Sequence, residues 1–123
     1  MKLSKKTMEL YGNLCEISGT LLSWVEDNCP EEVKNSFSQP LSKMIDKSPQ
    51  NMLRIIHYPP LRTTDSPEAV RAAAHEDINL LTILCAATSP GLQASDLDGN
   101  WFDVPTASGM IVVNTGDMLQ MAT

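Results

Sequence analysis

Along the first third of the chain, apolar residues fall at three- and four-residue steps: Met8, Tyr11, Leu14, Leu21, Leu22 and Val25, with the small Ser18 on the same stripe. That spacing gathers them on one face of an α-helix, so the pattern predicts an amphipathic helix with Ser4 as its N-cap. Asn28-Cys29-Pro30 breaks the stripe. Pro30 with Glu31 and Glu32 then reads as the first turn of a short second helix, because the fixed φ of proline suits the first helical position and acids suit the positive helix end. Pro40 and Pro49 punctuate the next stretch and leave residues 41–45 without an assigned type.

From Met52 the pattern changes. Met52-Leu53-Arg54-Ile55-Ile56-His57-Tyr58 is a β-rich run stopped by Pro59-Pro60, and the sheet is expected to begin there. Ile78 to Cys85 is a nearly continuous apolar run of strand length, which predicts burial on both faces. Asp98-Gly99, set between Gly91-Leu92-Gln93-Ala94 and Trp101-Phe102, favours a hairpin because this pair tolerates positive φ. Met110 to Val113 is a further strand, closed by Asn114-Thr115-Gly116-Asp117. Helices first, then several short strands without intervening helices, predict an α+β fold whose β part is an antiparallel sandwich or barrel. Residues 1–50 are expected to be mainly helical and 51–123 mainly β.

Composition narrows the class. A chain of 123 residues, 42% hydrophobic and 20% charged, suits one small globular domain. With a formal charge of -6 and only nine Lys and Arg, it lacks the basic surface that nucleic acids and anionic membranes recruit, which leaves a small molecule or a protein as the expected partner. Cys15, Cys29 and Cys85 are odd in number and scattered, as expected for reduced thiols. No apolar signal-peptide core follows the early lysines, and no window approaches the roughly 20 apolar residues of a membrane span, so a cytoplasmic protein is expected.

The residues with the most chemical content are His75-Glu76-Asp77. In an extended segment residues i and i+2 share a face, so His75 and Asp77 can both reach one ion; in a helix they lie about 200° apart and cannot. One imidazole and one carboxylate, completed by a second imidazole, form the facial triad of non-haem Fe(II) oxygenases. Such a short motif also matches by chance, and a surface histidine beside an acid is ordinarily only solvated. A helix starting at Ser66-Pro67-Glu68 and running through Ala69 to Ala74 is the structural rival, and it would separate the two ligands.

The surrounding sequence resembles the isopenicillin N synthase-like branch of the Fe(II)/2-oxoglutarate-dependent oxygenases. Four blocks carry the resemblance in order: Leu53-Arg54-Ile55-Ile56-His57-Tyr58-Pro59-Pro60; Arg71 through His75-Glu76-Asp77 to Leu84; Gly91-Leu92-Gln93 with Asp98-Gly99-Asn100-Trp101-Phe102-Asp103-Val104-Pro105; and Val113-Asn114-Thr115-Gly116-Asp117-Met118-Leu119-Gln120. They span about residues 52 to 120. The resemblance implies part of a double-stranded β-helix, or jelly roll, with Fe(II) at its mouth, held by His75 and Asp77. It implies 2-oxoglutarate as co-substrate, O2 as oxidant and a small organic substrate. Tyr58 matches a tyrosine that, in many relatives, helps hold the far carboxylate of 2-oxoglutarate; equally, it suits an amphipathic residue at a strand end. Ile56 replaces the asparagine often found two positions before that tyrosine, and part of this branch does not use 2-oxoglutarate. The family's distal histidine ligand and its Arg-x-Ser motif lie downstream of the Asn-x-Gly-Asp block. The chain is therefore expected to be a central fragment of a single oxygenase domain, with weak iron binding and negligible turnover by itself.

Other candidates have simpler readings. His57 adjoins Tyr58, so alternation turns the two to opposite faces, and a structural role is expected. Asp96, Asp98 and Asp103 do not have EF-hand spacing and read as turn acids. Asn114 and Asp117 read as Asx residues of a turn around Gly116. The seven methionines read as adaptable packing. No Ser-His-Asp ordering, P-loop or dinucleotide fingerprint is present. The competing functional class is a non-catalytic remnant that acts as a binding or assembly module through unfinished sheet edges.

Overall fold

The computed structural model describes residues 5–66 and 68–123. Ser4, the predicted cap, and Pro67, in the rival helix start, lie outside them. The chain divides into two compact units, residues 1–76 and 77–123.

The first unit begins with α1, Lys5–Asp27, where the apolar stripe predicts it. Two single-turn helices come next, α2 at Glu31–Lys34 and α3 at Leu41–Met44. Each starts directly after a proline. Pro30 stands at the N-cap of α2, one position before its predicted place, and its carbonyl accepts the Val33 and Lys34 amides at 3.0 Å. Leu22 of α1 and Leu41 of α3 are fully buried, and α1 packs against α3. Proline offers α3 no capping side chain. The Glu26 carboxylate of α1 supplies the acceptor instead, taking the Leu41 amide at 2.7 Å and satisfying a helix-end donor.

The predicted strand Met52–Tyr58 does not form: residues 51–62 are irregular, and those from 52 onward are exposed. A strand exists by hydrogen-bonding to a neighbour, and among the described residues none pairs with this run. The rival helix over Ala69 to Asp77 does not form either. Its only larger apolar side chain, Val70, is 75% exposed, and alanine propensity alone does not hold so short a helix without a packed face.

The second unit contains β1, Leu81–Cys85, β2, Gln93–Ser95, β3, Trp101–Asp103, β4, Ile111–Thr115, and α4, Asp117–Ala122. The strands form two antiparallel pairs, β1 with β4 and β2 with β3. Between β2 and β3 lies the predicted turn, with Gly99 at φ 83°. The Asp96 carboxylate organises this turn by accepting the Asp98 and Asn100 amides at 3.0 and 2.8 Å. It also accepts the Asn100 side-chain amide at 3.0 Å, and these donors, that amide foremost, hold its pKa below the ordinary value of 3.8. Asp103 accepts Gln93 Nε2 across the β2–β3 pair at 3.0 Å. In β1, Leu81 to Ile83 are half-buried while Leu84 and Cys85 are exposed, which corrects the expected two-sided burial. The apolar run suits a strand covered on both faces, and here the ladder has a single neighbour. Leu119 of α4 is the buried apolar side chain of this unit. Together the units give the expected α+β content.

No helix among the described residues is long and apolar enough to cross a membrane. Cys15 and Cys29 are half-buried thiols and Cys85 is exposed.

Candidate metal centre

His75 and Asp77 stand in a non-helical segment before β1. His75 lies near the end of the first unit and Asp77 opens the second. The His75 ring is exposed, and Nδ1 lies 2.7 Å from the Ala73 carbonyl oxygen. A carbonyl only accepts, so this contact places a proton on Nδ1. Metal-binding histidines are typically oriented in this way.

Asp77 is half-buried and is held through its main chain and its side chain. Its carbonyl accepts the Asp117 amide at 2.8 Å, at the start of α4, while the Gly116 amide donates to Leu80 O at 3.1 Å. Its Oδ2 accepts the Thr82 hydroxyl at 2.5 Å and Asn114 Nδ2 at 2.9 Å. Thr82 Oγ1 in turn accepts Asn79 Nδ2 at 2.9 Å. Thr82 and Asn114 are directly opposite in the β1–β4 register, so the ladder itself delivers both donors to one oxygen.

Gly116 is buried in this crossing. A Cβ there would fall within 3.0 Å of the Asn79 and Asp77 carbonyl oxygens and of Asn79 Oδ1. The glycine is therefore required by close approach; its backbone, at φ -104° and ψ 173°, is one any residue adopts. Sequence spacing assigns Asn114 and Gly116 to a turn, and the structure gives them a further task beside Asp77. The signal available in sequence is the pairing of the run before Asn114 with the run after Asp77.

Tyr58 is half-exposed within the irregular part of the first unit, and His57 beside it is exposed. A groove of the second unit, about 450 Å³, is lined by residues 87–91 and 103–106 and contains none of the predicted site residues. Among the described residues no cluster of three or more His, Cys, Asp or Glu comes together. An imidazole and a carboxylate are nitrogen and oxygen donors of the types that suit Fe(II).

The 2OG-Fe(II) oxygenase superfamily model matches residues 49–123, and the chain belongs to that family. Gibberellin 2-beta-dioxygenase 3 of Arabidopsis thaliana is 32% identical over 116 residues, which are 94% of this chain and 33% of that protein. A 2-oxoglutarate-dependent dioxygenase of Monascus ruber is 33% identical over 81 residues, 63% of this chain and 25% of its own length. A crystal structure of a protein from Shewanella oneidensis, assigned as an oxygenase, superposes with a TM-score of 0.86 at 44% identity, covering 99% of this chain and 45% of that one. The chain thus spans about a third of the length of the first of these relatives. The family's name carries its cofactors, Fe(II) and 2-oxoglutarate.

Proposed function

We propose that this chain is part of a Fe(II)/2-oxoglutarate-dependent dioxygenase that oxidises a small organic molecule with O2, and that His75 and Asp77 are its first two metal ligands. The observation that carries the reading is the preparation of both donors: an imidazole whose tautomer is set by the Ala73 carbonyl and a carboxylate clamped by Thr82 and Asn114. When bound, Fe(II) with 2-oxoglutarate supplies the oxidising power for the reaction. The chain's own residues bind and orient. His75 offers Nε2, Asp77 offers a carboxylate of fixed rotation, and Tyr58 donates its hydroxyl to the far carboxylate of 2-oxoglutarate. In the whole protein the strands of the second unit belong to a jelly roll, in keeping with the superposition on the Shewanella structure. Relatives named for gibberellins and an oxidase homologue named for 1-aminocyclopropane-1-carboxylate match at comparable identity, 32% and 37%, so the proposal stops at a small organic substrate.

The test is titration of the purified chain with Mn(II), monitored by water-proton relaxation, a readout suited to weak sites. Binding is expected to be weak, because two protein ligands leave most of the coordination sphere to water, and His75→Ala or Asp77→Ala is expected to abolish it. Binding that survives both substitutions overturns the ligand assignment.

A second reading, an assembly module, draws support from apolar side chains left exposed on the strands, among them Leu84, Ile111, Val113, Trp101 and Phe102, together with open edges on both strand pairs. Light scattering behind size exclusion separates the two readings: a monomer at micromolar concentration excludes the assembly role.

A further inference from the structure

We infer that the exposed side of α1 is a self-association surface, on which a second copy of this chain docks its own α1 antiparallel to the first. Leu10, Asn13, Ile17, Thr20 and Trp24 are exposed and follow one another at alternating steps of three and four. The same alternation reaches exposed Lys6 at one end and exposed Asp27 at the other. A stripe that keeps this seven-residue period is the seam one helix presents to another. Its large apolar members, Leu10, Ile17 and Trp24, are 45%, 37% and 60% exposed. Ile17 stands about 140° around the helix from the buried Leu22, so the seam is not the face that packs against α3.

The charges at the two ends of α1 select the occupant and its direction. The first turn holds Lys5 and Lys6 and no acid, and the last turn holds Glu26 and Asp27 and no base. Both are the reverse of what the helix macrodipole favours. An antiparallel second copy brings the Lys6 end of each helix to the Asp27 end of the other, twice by symmetry, and sets the macrodipoles in opposition. A parallel copy would stack like charge on like charge at both ends. Glu26 is committed to the Leu41 amide at 2.7 Å, which leaves Asp27 as the acid of the seam. The apolar positions are self-complementary in the same arrangement: Ile17 lies midway between Leu10 and Trp24, so a two-fold axis beside Ile17 places Leu10 of each copy near Trp24 of the other. A hollow of about 400 Å³ beside Trp24, with Asn13, Ile17 and Thr20 in its wall, receives that leucine. A polar Asn13 within the seam fixes register at a cost in stability, so the pair is reversible.

Sedimentation equilibrium of the chain from micromolar to millimolar concentration is expected to show a monomer–dimer equilibrium. Trp24→Ala should weaken it by at least about 30-fold, the effect of losing a central aromatic anchor, and Ile17→Glu should abolish it, with circular dichroism showing α1 retained in both. Asp27→Lys should weaken the dimer about 5-fold, the scale of an exposed ion pair counted twice. The same substitution puts a base at the C-terminal end of α1 and should raise the helicity of the monomer, whereas damage to folding would move both readouts downward. Adding Lys6→Glu to Asp27→Lys makes opposite charges face each other again and should return the constant to within about 2-fold of wild type. Leu97→Glu, at the exposed tip of the β2–β3 turn, is the control and leaves the constant unchanged. Direction is read by mixing Asn13→Cys chains with Thr20→Cys chains under mild oxidation and mapping the disulfides: bridges between positions 13 and 20 are expected, and a predominance of 13 to 13 bridges overturns the antiparallel assignment. A dimer that survives Ile17→Glu, or that Leu97→Glu weakens as much as Trp24→Ala does, belongs to the strand edges and overturns the inference. A monomer at every concentration gives the seam to another occupant, a different protein or a further part of a longer chain, and overturns it as well.

Discussion

Replacing Gly116 by alanine adds a single methyl group at the point where the start of α4 crosses the segment before β1. That methyl meets the carbonyl oxygens of Asn79 and Asp77 and the Oδ1 of Asn79, all within 3.0 Å. Two of the three are backbone atoms, which no rotamer change can move aside. Overpacking of this kind costs about 1–3 kcal/mol, and relief by backbone separation would stretch the bonds from Gly116 N to Leu80 O and from Asp117 N to Asp77 O, at 3.1 and 2.8 Å. We expect a loss toward the upper end, about 3 kcal/mol by the same principle, which lowers Tm by roughly 10 °C in a domain of this size. Gly12→Ala is the internal comparison. Gly12 lies within α1 with nothing inside 4 Å of its added Cβ, so alanine should stabilise the helix by up to about 1 kcal/mol. The two substitutions are chemically identical and should have opposite signs. Because they lie in different compact units, hydrogen exchange resolves them: faster exchange at Asp117 and its neighbours for Gly116→Ala, and slower exchange within α1 for Gly12→Ala. If Gly116→Ala leaves the second unit within about 0.5 kcal/mol of wild type, the range of an ordinary surface change, the close-approach argument is wrong.

Packing and turn chemistry give two further expected outcomes. Leu41→Ala removes a fully buried side chain from the α1–α3 contact and should cost about 2–5 kcal/mol by urea unfolding monitored at Trp24 on α1. The Asp96 carboxyl has its pKa lowered by the Asn100 side-chain amide and the turn amides, so its contribution to the hairpin is present above its unfolded pKa and lost as pH falls through the lower folded value. The Asp98 and Asn100 amide resonances should therefore move together at a pH below the ordinary aspartate range, and Asp96→Asn should remove that transition.

The elements legible in sequence were those whose causes are local. The stripe from Met8 to Val25 needs only helical spacing, and the β2–β3 hairpin needs only the positive φ of Gly99 and the short-range acceptors of Asp96. The core of β1 and of β4 showed in their apolar runs, with ends displaced: β1 starts at Leu81 and β4 continues to Thr115. What failed was non-local. Met52–Tyr58 has strand-forming residues and no partner among those described, because propensity supplies no neighbour. The alanines before His75 have helix propensity and no packed face. Of the candidate site, the sequence names His75 and Asp77 as expected ligands and gives no sign of the donors to Asp77. Asn114 looks like a turn residue until the register pairs it with Thr82.

That dependence on register has a physical consequence for how the site is made. Asp77 Oδ2 receives its two donors only when β1 and β4 are aligned as Thr82 with Asn114. A slip of β4 by one residue would turn Asn114 to the other face of the ladder and remove its donor from the carboxylate. The main-chain bond from Asp117 to Asp77 and the close approach of Gly116 depend on the same alignment, since both lie directly after the end of β4. The aligned ladder, the crossing at Gly116 and the aimed carboxylate are therefore one cooperative structure. His75 is conditioned differently, by a carbonyl two residues away in its own segment. One donor is prepared by local backbone and the other by long-range pairing. Damage to the sheet should accordingly release the Asp77 carboxylate while leaving the contact of His75 with Ala73 in place.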